Sequence, residues 1–268
     1  MIVFYTIAIL VFIYILSTCC GVANSGLQKL RGWAYAHRGL HGEGVPENSM
    51  EAFRRAKNAG YGMELDIHLL ADGKLAVLHD AALARMTGSE GRIEDLRSEE
   101  LGSFFLNGTQ ETIPLFQDVL DLVNGEVALI VELKAQLDNY EQLCAKACEL
   151  LDRYNGVYCI ESFDPRCAYW FRKHRPDVIR GQLTENYFLT ENCKVPLILR
   201  IPLVLQMFNF LTRPDFVAYR YRDRKHFSNF LVQKLWGAAS VTWTLTSQEE
   251  YDTAVAENRI PIFEGFLP

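Results

Sequence analysis

No CxxC pair occurs among the seven cysteines, and the cysteines are scattered through 268 residues. A disulfide scaffold and a zinc ribbon both need closer, paired spacing, so both are excluded. Basic charge is also in short supply. Lys plus Arg total 27 against 33 Asp plus Glu, a net charge of −6. Without a cationic excess to neutralise phosphates in bulk, a nucleic-acid partner is excluded. No internal repeat or low-complexity tract appears. What is present is a 49% apolar, 22% charged chain, which carries enough apolar surface to offset ordering entropy and fold. Its length suits one large domain.

Charge is missing most conspicuously from residues 2–19, a run of Ile, Val, Leu, Phe and Tyr. At about 1.5 Å per residue such a run approaches the thickness of a hydrocarbon core. It is read as a single N-terminal transmembrane helix, with residues 1–22 as anchor, 23–32 as connector and 33–268 as the folded domain. A cleaved signal peptide is the rival, but no Lys or Arg precedes the run. Lys29 and Arg31 follow it, which places the catalytic domain of a single-pass membrane protein on the cytoplasmic side.

Beyond the connector, short apolar runs alternate with helical patterns. Strands are expected at 33–36, 63–67, 127–132, 157–162, 178–183, 215–219, 240–245 and 260–263. Helices are expected at 49–59, 116–123, 139–154, 165–175 and 247–257. Eight strands alternating with helices specify an α/β fold, a (β/α)8 TIM barrel. One feature breaks the alternation. Ala71-Asp72-Gly73-Lys74 is a hairpin signal, so an extra antiparallel strand should rise at the barrel's carboxyl-end mouth. A two-residue turn at Asp72-Gly73 makes facing residues sum to 145 and sets Asp66 opposite His79.

Polar residues close several otherwise apolar strands: His37-Arg38-Gly39, Glu64-Leu65-Asp66, His79-Asp80, Glu132-Leu133-Lys134 and Ser162-Phe163. Barrel active sites form at that face, and unpaired buried charges there would be costly. A hard divalent cation, Mg²⁺ or Ca²⁺, held by Glu64, Asp66 and Glu132 would offset the cost. His37 and His79 could exchange protons beside it. Arg38 offers a planar fork to phosphate oxygens and Lys134 a point charge. Ser162 has no triad to activate it. Cys144 and Cys148 share a helical face and read as packing.

These residues resemble the glycerophosphodiester phosphodiesterase family. The likeness also includes Pro46-Glu47-Asn48-Ser49, Ala52-Phe53, Asp72-Gly73, the Leu83/Arg85/Thr87-Gly88 pattern, Ile113-Pro114 and Trp243-Thr244. It implies a (β/α)8 barrel with one divalent cation, metal ligands at Glu64, Asp66 and Glu132, and a catalytic pair at His37 and His79. Arg38 and Lys134 map to phosphate contacts, and Glu47 stands beside the metal as a ligand or just behind one. Phe163 and Trp243 are candidates for the substrate pocket. The implied activity is hydrolysis of a glycerophosphodiester to an alcohol and glycerol 3-phosphate. The alternatives are lysophospholipase D-like hydrolysis of membrane lysophospholipids, a phospholipase C-like cleavage, and a catalytically silent membrane-attached binding barrel. The chain departs from the family pattern at its end, where Glu264 is open between a site role and a rim salt bridge. Residues 184–226 match nothing in it. Within them, the apolar run 195–211 is read as a barrel-covering helix or as a flap resting on a membrane.

Overall fold

The computed structural model describes residues 1–21, 25–136, 138–191 and 193–268. The expected connector residues Ala23 and Asn24 lie outside them. Nine strands form one sheet: β1 Tyr35–Ala36, β2 Gly62–Leu69, β3 Leu75–Val77, β4 Leu129–Leu133, β5 Tyr158–Ser162, β6 Arg180–Thr184, β7 Phe216–Arg220, β8 Ala239–Leu245 and β9 Ile260–Phe263. Eight of them pair in parallel, and β1 bonds both to β9 and to β2, which closes the barrel. The helices are α1 Ile2–Ser17, α2 Met50–Asn58, α3 Ala84–Thr87, α4 Phe116–Val123, α5 Tyr140–Leu151, α6 Pro165–His174, α7 Leu197–Val204, α8 Asn209–Thr212, α9 Phe227–Trp236 and α10 Gln248–Ala256.

Strand alternation sorts the core. Tyr35, Ile130, Cys159, Leu183, Phe216 and Val241 point into the barrel and pack together. Their neighbours Met63, Leu65, Val131 and Ile160 point outward, against Phe53, Phe116 and Phe171 of the covering helices. Cys144 and Cys148 are part of that outer layer, as packing predicts. Small residues make room where the interior is crowded. A Cβ on Gly181 would lie 2.1 Å from the ring of the fully buried Phe216.

The antiparallel strand is β3, paired to the end of β2 beyond the barrel rim. Its register corrects the expected one. Ile67 faces Val77, His68 faces Ala76 and Leu69 faces Leu75, so facing numbers sum to 144. The turn is one residue longer than Asp-Gly alone implies. Leu70 N–H donates to the Lys74 carbonyl at 2.9 Å, and Gly73 takes the left-handed conformation at φ +81°. A three-residue loop closed by a left-handed glycine is the next most common hairpin solution. The Leu78 N–H donates to the Asp66 carbonyl, and His79 falls just past the ladder.

The N-terminal segment requires a second correction. The apolar run does form a helix, but α1 has 16 residues, about 24 Å at the α-helical rise and short of a hydrocarbon core of about 30 Å. No helix among the described residues is long and apolar enough to cross a membrane, so the expected transmembrane helix is not supported. The helix ends where Ser17 and Thr18 turn their hydroxyls back onto the Tyr14 and Ile15 carbonyls. The Trp236 indole N–H then donates to Thr18 Oγ1 at 3.0 Å, which ties the segment to α9.

Gly181→Ala is expected to lower stability by about 1–3 kcal/mol, the usual range for overpacking a core. Gly102, with nothing within 4 Å of its built Cβ, serves as the comparison site for the same substitution. Urea denaturation of both variants checks this, and equal stabilities would contradict the packing account.

Candidate active site

Two strands supply the acidic centre. Glu64 and Asp66 are two apart on β2 and both face the interior, and the β2–β4 ladder sets Glu132 directly beside Asp66. One oxygen from each of Glu64, Asp66 and Glu132 lies within 4.8 Å of the others, and all three residues are buried. The Lys134 ammonium is 3.0 Å from Asp66 Oδ1 and 2.9 Å from Glu132 Oε1. Asn48 Nδ2 donates to Asp66 Oδ2 at 2.8 Å, and the Arg38 N–H donates to Glu64 Oε2 at 3.1 Å. Arg38 and Asn48 both hold left-handed backbones, each at φ +55°, an uncommon state for such residues. The Asn48 N–H binds the Arg38 carbonyl at 2.9 Å, so the two turns hold one another. Gly39 completes the first turn. A Cβ there would come within 2.9 Å of Ala52.

Charge is unevenly distributed in this cluster. Burial, reinforced by Asp66 and Glu132, pushes the Glu64 carboxyl well above its usual range. Burial likewise lifts Glu132 to about 7, even against Lys134. Asp66 is buried too, but Lys134, His79 and Arg38 outweigh that cost and hold it ionised. A fourth interior carboxyl, Glu161, pairs in register with Glu132. It is pushed up by burial and by its acidic neighbours, and its Oε2 has no hydrogen-bond partner. The donor set is all oxygen, convergent, buried and short of countercharge. That fits a hard divalent cation.

Each imidazole is backed by a carboxylate. His37 Nδ1 lies 2.5 Å from Glu264 Oε2, and its Nε2 is 3.9 Å from Glu64 Oε2. His79 Nδ1 lies 2.7 Å from Asp80 Oδ1. With Nδ1 engaged in both rings, proton exchange falls to Nε2. Burial lowers the pKa of His37 despite Glu264. Burial, with help from Lys134, lowers that of His79. Both rings are therefore biased to the neutral form that accepts a proton. Glu264 stands at the end of β9, where Phe263 O receives the His37 N–H, and its carboxylate reaches both His37 and His41. The other strand-end residues carried the same positional signal.

Glu47 is not part of the acidic cluster. Its Oε1 accepts from Arg38 at 2.8 Å and from Arg85 at 2.7 Å. Burial would raise its pKa, but the hydrogen bond from Arg85 and the Arg38 charge bring it to about 2. It thus braces Arg38, and both placements expected for Glu47, as a ligand or just behind one, stay open. Arg85 also pairs with Asp80. An alternating chain, Arg38–Glu47–Arg85–Asp80–His79, links the Arg38 guanidinium to an imidazole. Sequence reasoning noted Arg85 within a motif but assigned it no task. His68, fully buried, bonds Glu94 at 2.7 Å and lies 3.3 Å from the His79 carbonyl, so it supports the same loop. Ser162 spends its hydroxyl on the Leu133 carbonyl. Phe163 and Trp243 meet edge to face at 5.6 Å, and Tyr187 packs on Phe163 at 6.5 Å. Together they form an aromatic wall on the β5–β8 side.

Arg85→Met is expected to reduce turnover about tenfold or more, and Glu47→Gln to do likewise. The double variant should cost clearly less than the product of the two, because contacting residues in one network couple by about 0.5–3 kcal/mol. A double-mutant cycle on kcat/KM checks this, and strict additivity would show that the chain is not a unit.

A family model for the glycerophosphoryl diester phosphodiesterase family matches residues 37–187, more than half of the chain. A glycerophosphodiester phosphodiesterase from Bacillus altitudinis is 35% identical over 161 residues, covering 56% of this chain and 65% of that protein. A lysophospholipase D from Rattus norvegicus is 33% identical over 132 residues, 44% of this chain and 40% of that protein. The chain thus spans less than two thirds of either relative's length. Among solved structures, an Oleispira antarctica phosphodiesterase in complex with sn-glycerol-3-phosphate superposes with a TM-score of 0.72 at 19% identity. It covers 89% of this chain and 94% of its own, which establishes the shared barrel fold. With the motifs, the barrel and the family match in agreement, the chain belongs to the glycerophosphoryl diester phosphodiesterase family.

Proposed function

We propose that this protein is a metal-dependent phosphodiesterase that hydrolyses glycerophosphodiesters to an alcohol and glycerol 3-phosphate. The observation that carries the reading is the pair of carboxylate-backed imidazoles, His37 with Glu264 and His79 with Asp80, at the edge of one buried three-carboxylate cluster. Glu64, Asp66 and Glu132 would hold the cation, Mg²⁺ or Ca²⁺, whose contribution when bound is to polarise a phosphoryl oxygen and offset developing negative charge.

The residues divide the remaining work. The Arg38 guanidinium, held by Glu47, receives phosphate oxygens in a fixed fork, and Lys134 adds a positive charge from the same side. One imidazole Nε2 takes the proton of the attacking hydroxyl, from water or from the neighbouring glycerol hydroxyl. A new phosphorus–oxygen bond forms as the bond to the alcohol breaks. The other Nε2 gives its proton to the departing alkoxide. Glu264 and Asp80 steady whichever ring is transiently cationic. Where the glycerol hydroxyl attacks, water later opens the cyclic phosphate with the two histidines in exchanged roles.

A second reading of the substrate is a lysophospholipid, cleaved in the same site to release its headgroup alcohol. The aromatic wall of Phe163, Tyr187 and Trp243 favours it, because it offers apolar surface at the mouth. The rat relative bears the name lysophospholipase D.

His37→Ala and His79→Ala should each lower kcat by about 10²–10⁴, the usual weight of general acid–base catalysis, with melting temperatures unchanged. Near-wild-type turnover of glycerophosphocholine and glycerophosphoethanolamine by either variant would remove the assignment. Chelation should abolish activity and single additions of Mg²⁺, Ca²⁺ or Mn²⁺ should restore it.

The acidic cluster also sets a pH dependence. With Glu132 lifted to about 7 and Glu64 also raised well above its usual value by burial and its acidic neighbours, the metal-free fold keeps carboxyl protons that the unfolded chain has released. The contribution of these two carboxyls to its stability therefore falls as pH rises from about 4.5 towards 7. Cation binding displaces those protons. The cation-induced rise in melting temperature should be larger at pH 8 than at pH 5.5, and equal rises would contradict this account.

A further inference from the structure

We infer that the face formed by α1, α7 and α9 seats the protein on an anionic phospholipid bilayer, without spanning it, so that the barrel mouth opens beside the lipid surface. Residues 2–13 are all exposed and, apart from Thr6, whose hydroxyl is turned onto the Ile2 carbonyl, apolar or aromatic, and α1 contains no buried residue. A helix apolar on every side is ordinarily enclosed by protein or lipid. Here protein covers only its C-terminal end, where Tyr14 stacks on Phe227 at 6.5 Å and Thr18 binds Trp236. Beside it, Leu197, Ile198 and Ile201 of α7 and Phe227 and Phe230 of α9 are exposed, Ile198 to 81%. α7 is packed against α9, where Ser228 Oγ donates to the Val204 carbonyl at 2.6 Å.

Charge identifies the occupant. The chain as a whole is acidic, yet α1, α7, α8 and α9 contain no Asp or Glu. Exposed Lys194, Lys225 and Lys234 border the patch. An apolar surface rimmed by lysine matches acyl chains beneath anionic headgroups. A second copy of the same face would set lysine against lysine. The location also matters. α7 packs at the carboxyl end of β6, where Thr184 Oγ1 lies 3.5 Å from the Leu203 carbonyl. Phe227 opens α9 shortly after β7 ends. Thr18 meets Trp236 and Tyr14 meets Phe227, so α1 runs along α9 toward its mouth-side end, and the uncovered residues beyond Tyr14 add about 18 Å of helix. The bilayer would lie next to the aromatic wall, which deepens the lysophospholipid reading of the site and rests on it only for the consequence, not for the docking.

Flotation of the full-length protein with phosphatidylcholine vesicles, with and without phosphatidylglycerol, tests the surface. Leu197→Ser/Ile198→Ser and Lys225→Glu/Lys234→Glu should each weaken binding to phosphatidylglycerol vesicles about tenfold or more, at the scale of the surface charge involved. The charge-reversal effect should vanish at high salt. Melting temperature and hydrolysis of soluble glycerophosphocholine, measured in parallel, should match wild type. Vesicle binding unchanged in both folded variants would overturn the proposal, since α1 alone would then hold the membrane. So would variants that abolish a concentration-dependent dimer while the wild type floats with no vesicle. If the wild type floats but hydrolyses no diester with metal restored, the phosphodiesterase reading fails and the docking surface stands.

Discussion

The repulsion among Glu64, Asp66 and Glu132 is the constraint around which the mouth of the barrel is organised. Parallel pairing of β2 with β4 brings Asp66 and Glu132 side by side in an interior that excludes water. Two neighbouring carboxylates cannot both stay ionised there without countercharge. Lys134 approaches both acids and Arg38 approaches Asp66 at 3.6 Å, yet Glu64 and Glu132 remain biased toward protonation. A divalent cation would supply the missing charge at one point. The acidic centre is thus a place where local stability is given up, as the proposed binding of a phosphodiester with its counterion requires.

From that centre outward, positive and negative groups alternate. Arg38 leans on Glu47, Glu47 on Arg85, Arg85 on Asp80 and Asp80 on His79. Each group is fixed by the next, which limits rotamer freedom before substrate arrives. Arg85 itself is almost half exposed, so its individual pairs are worth little in isolation. Their value is geometric, because one guanidinium holds both Glu47, which braces Arg38, and Asp80, which backs His79.

Much of this was legible in the sequence because strand ends carry polar residues that folding does not otherwise explain. His37, Glu64, Asp66, His79 and Glu132 could be placed at one rim from alternation alone. The hairpin was legible as a hairpin, but its register was not. Whether Asp72-Gly73 closes a two- or three-residue loop depends on which residue takes the left-handed conformation. Sequence spacing does not resolve a shift of one. Glu47 was ambiguous for a related reason: a carboxylate beside a metal site and one beside two arginines look alike until the fold delivers Arg85 from 38 residues away. The apolar N-terminal run was read from length and charge, whereas its extent as a helix is set by the tie between Thr18 and Trp236.

The barrel divides its labour by side. Strands β1 to β4 and the hairpin carry the carboxylates, the imidazoles, Arg38 and Lys134, and the family model covers all of them while ending at residue 187. The exceptions are Glu161 on β5, beside Glu132, and Glu264 at the end of β9, which reaches back to His37. The opposite side, β6 to β8 with α7 and α9, contributes aromatic and aliphatic surface and almost no acid. Bond cleavage tolerates little variation in the first half, since oxygen positions around a phosphoryl group are fixed by chemistry. Under the proposed reaction, the second half would be the side left to the departing alcohol, where shape and polarity can change without disturbing the reacting atoms. That asymmetry accounts for why the family reads clearly from residues 37–187, while the segment from residue 193 onward carries no such signature.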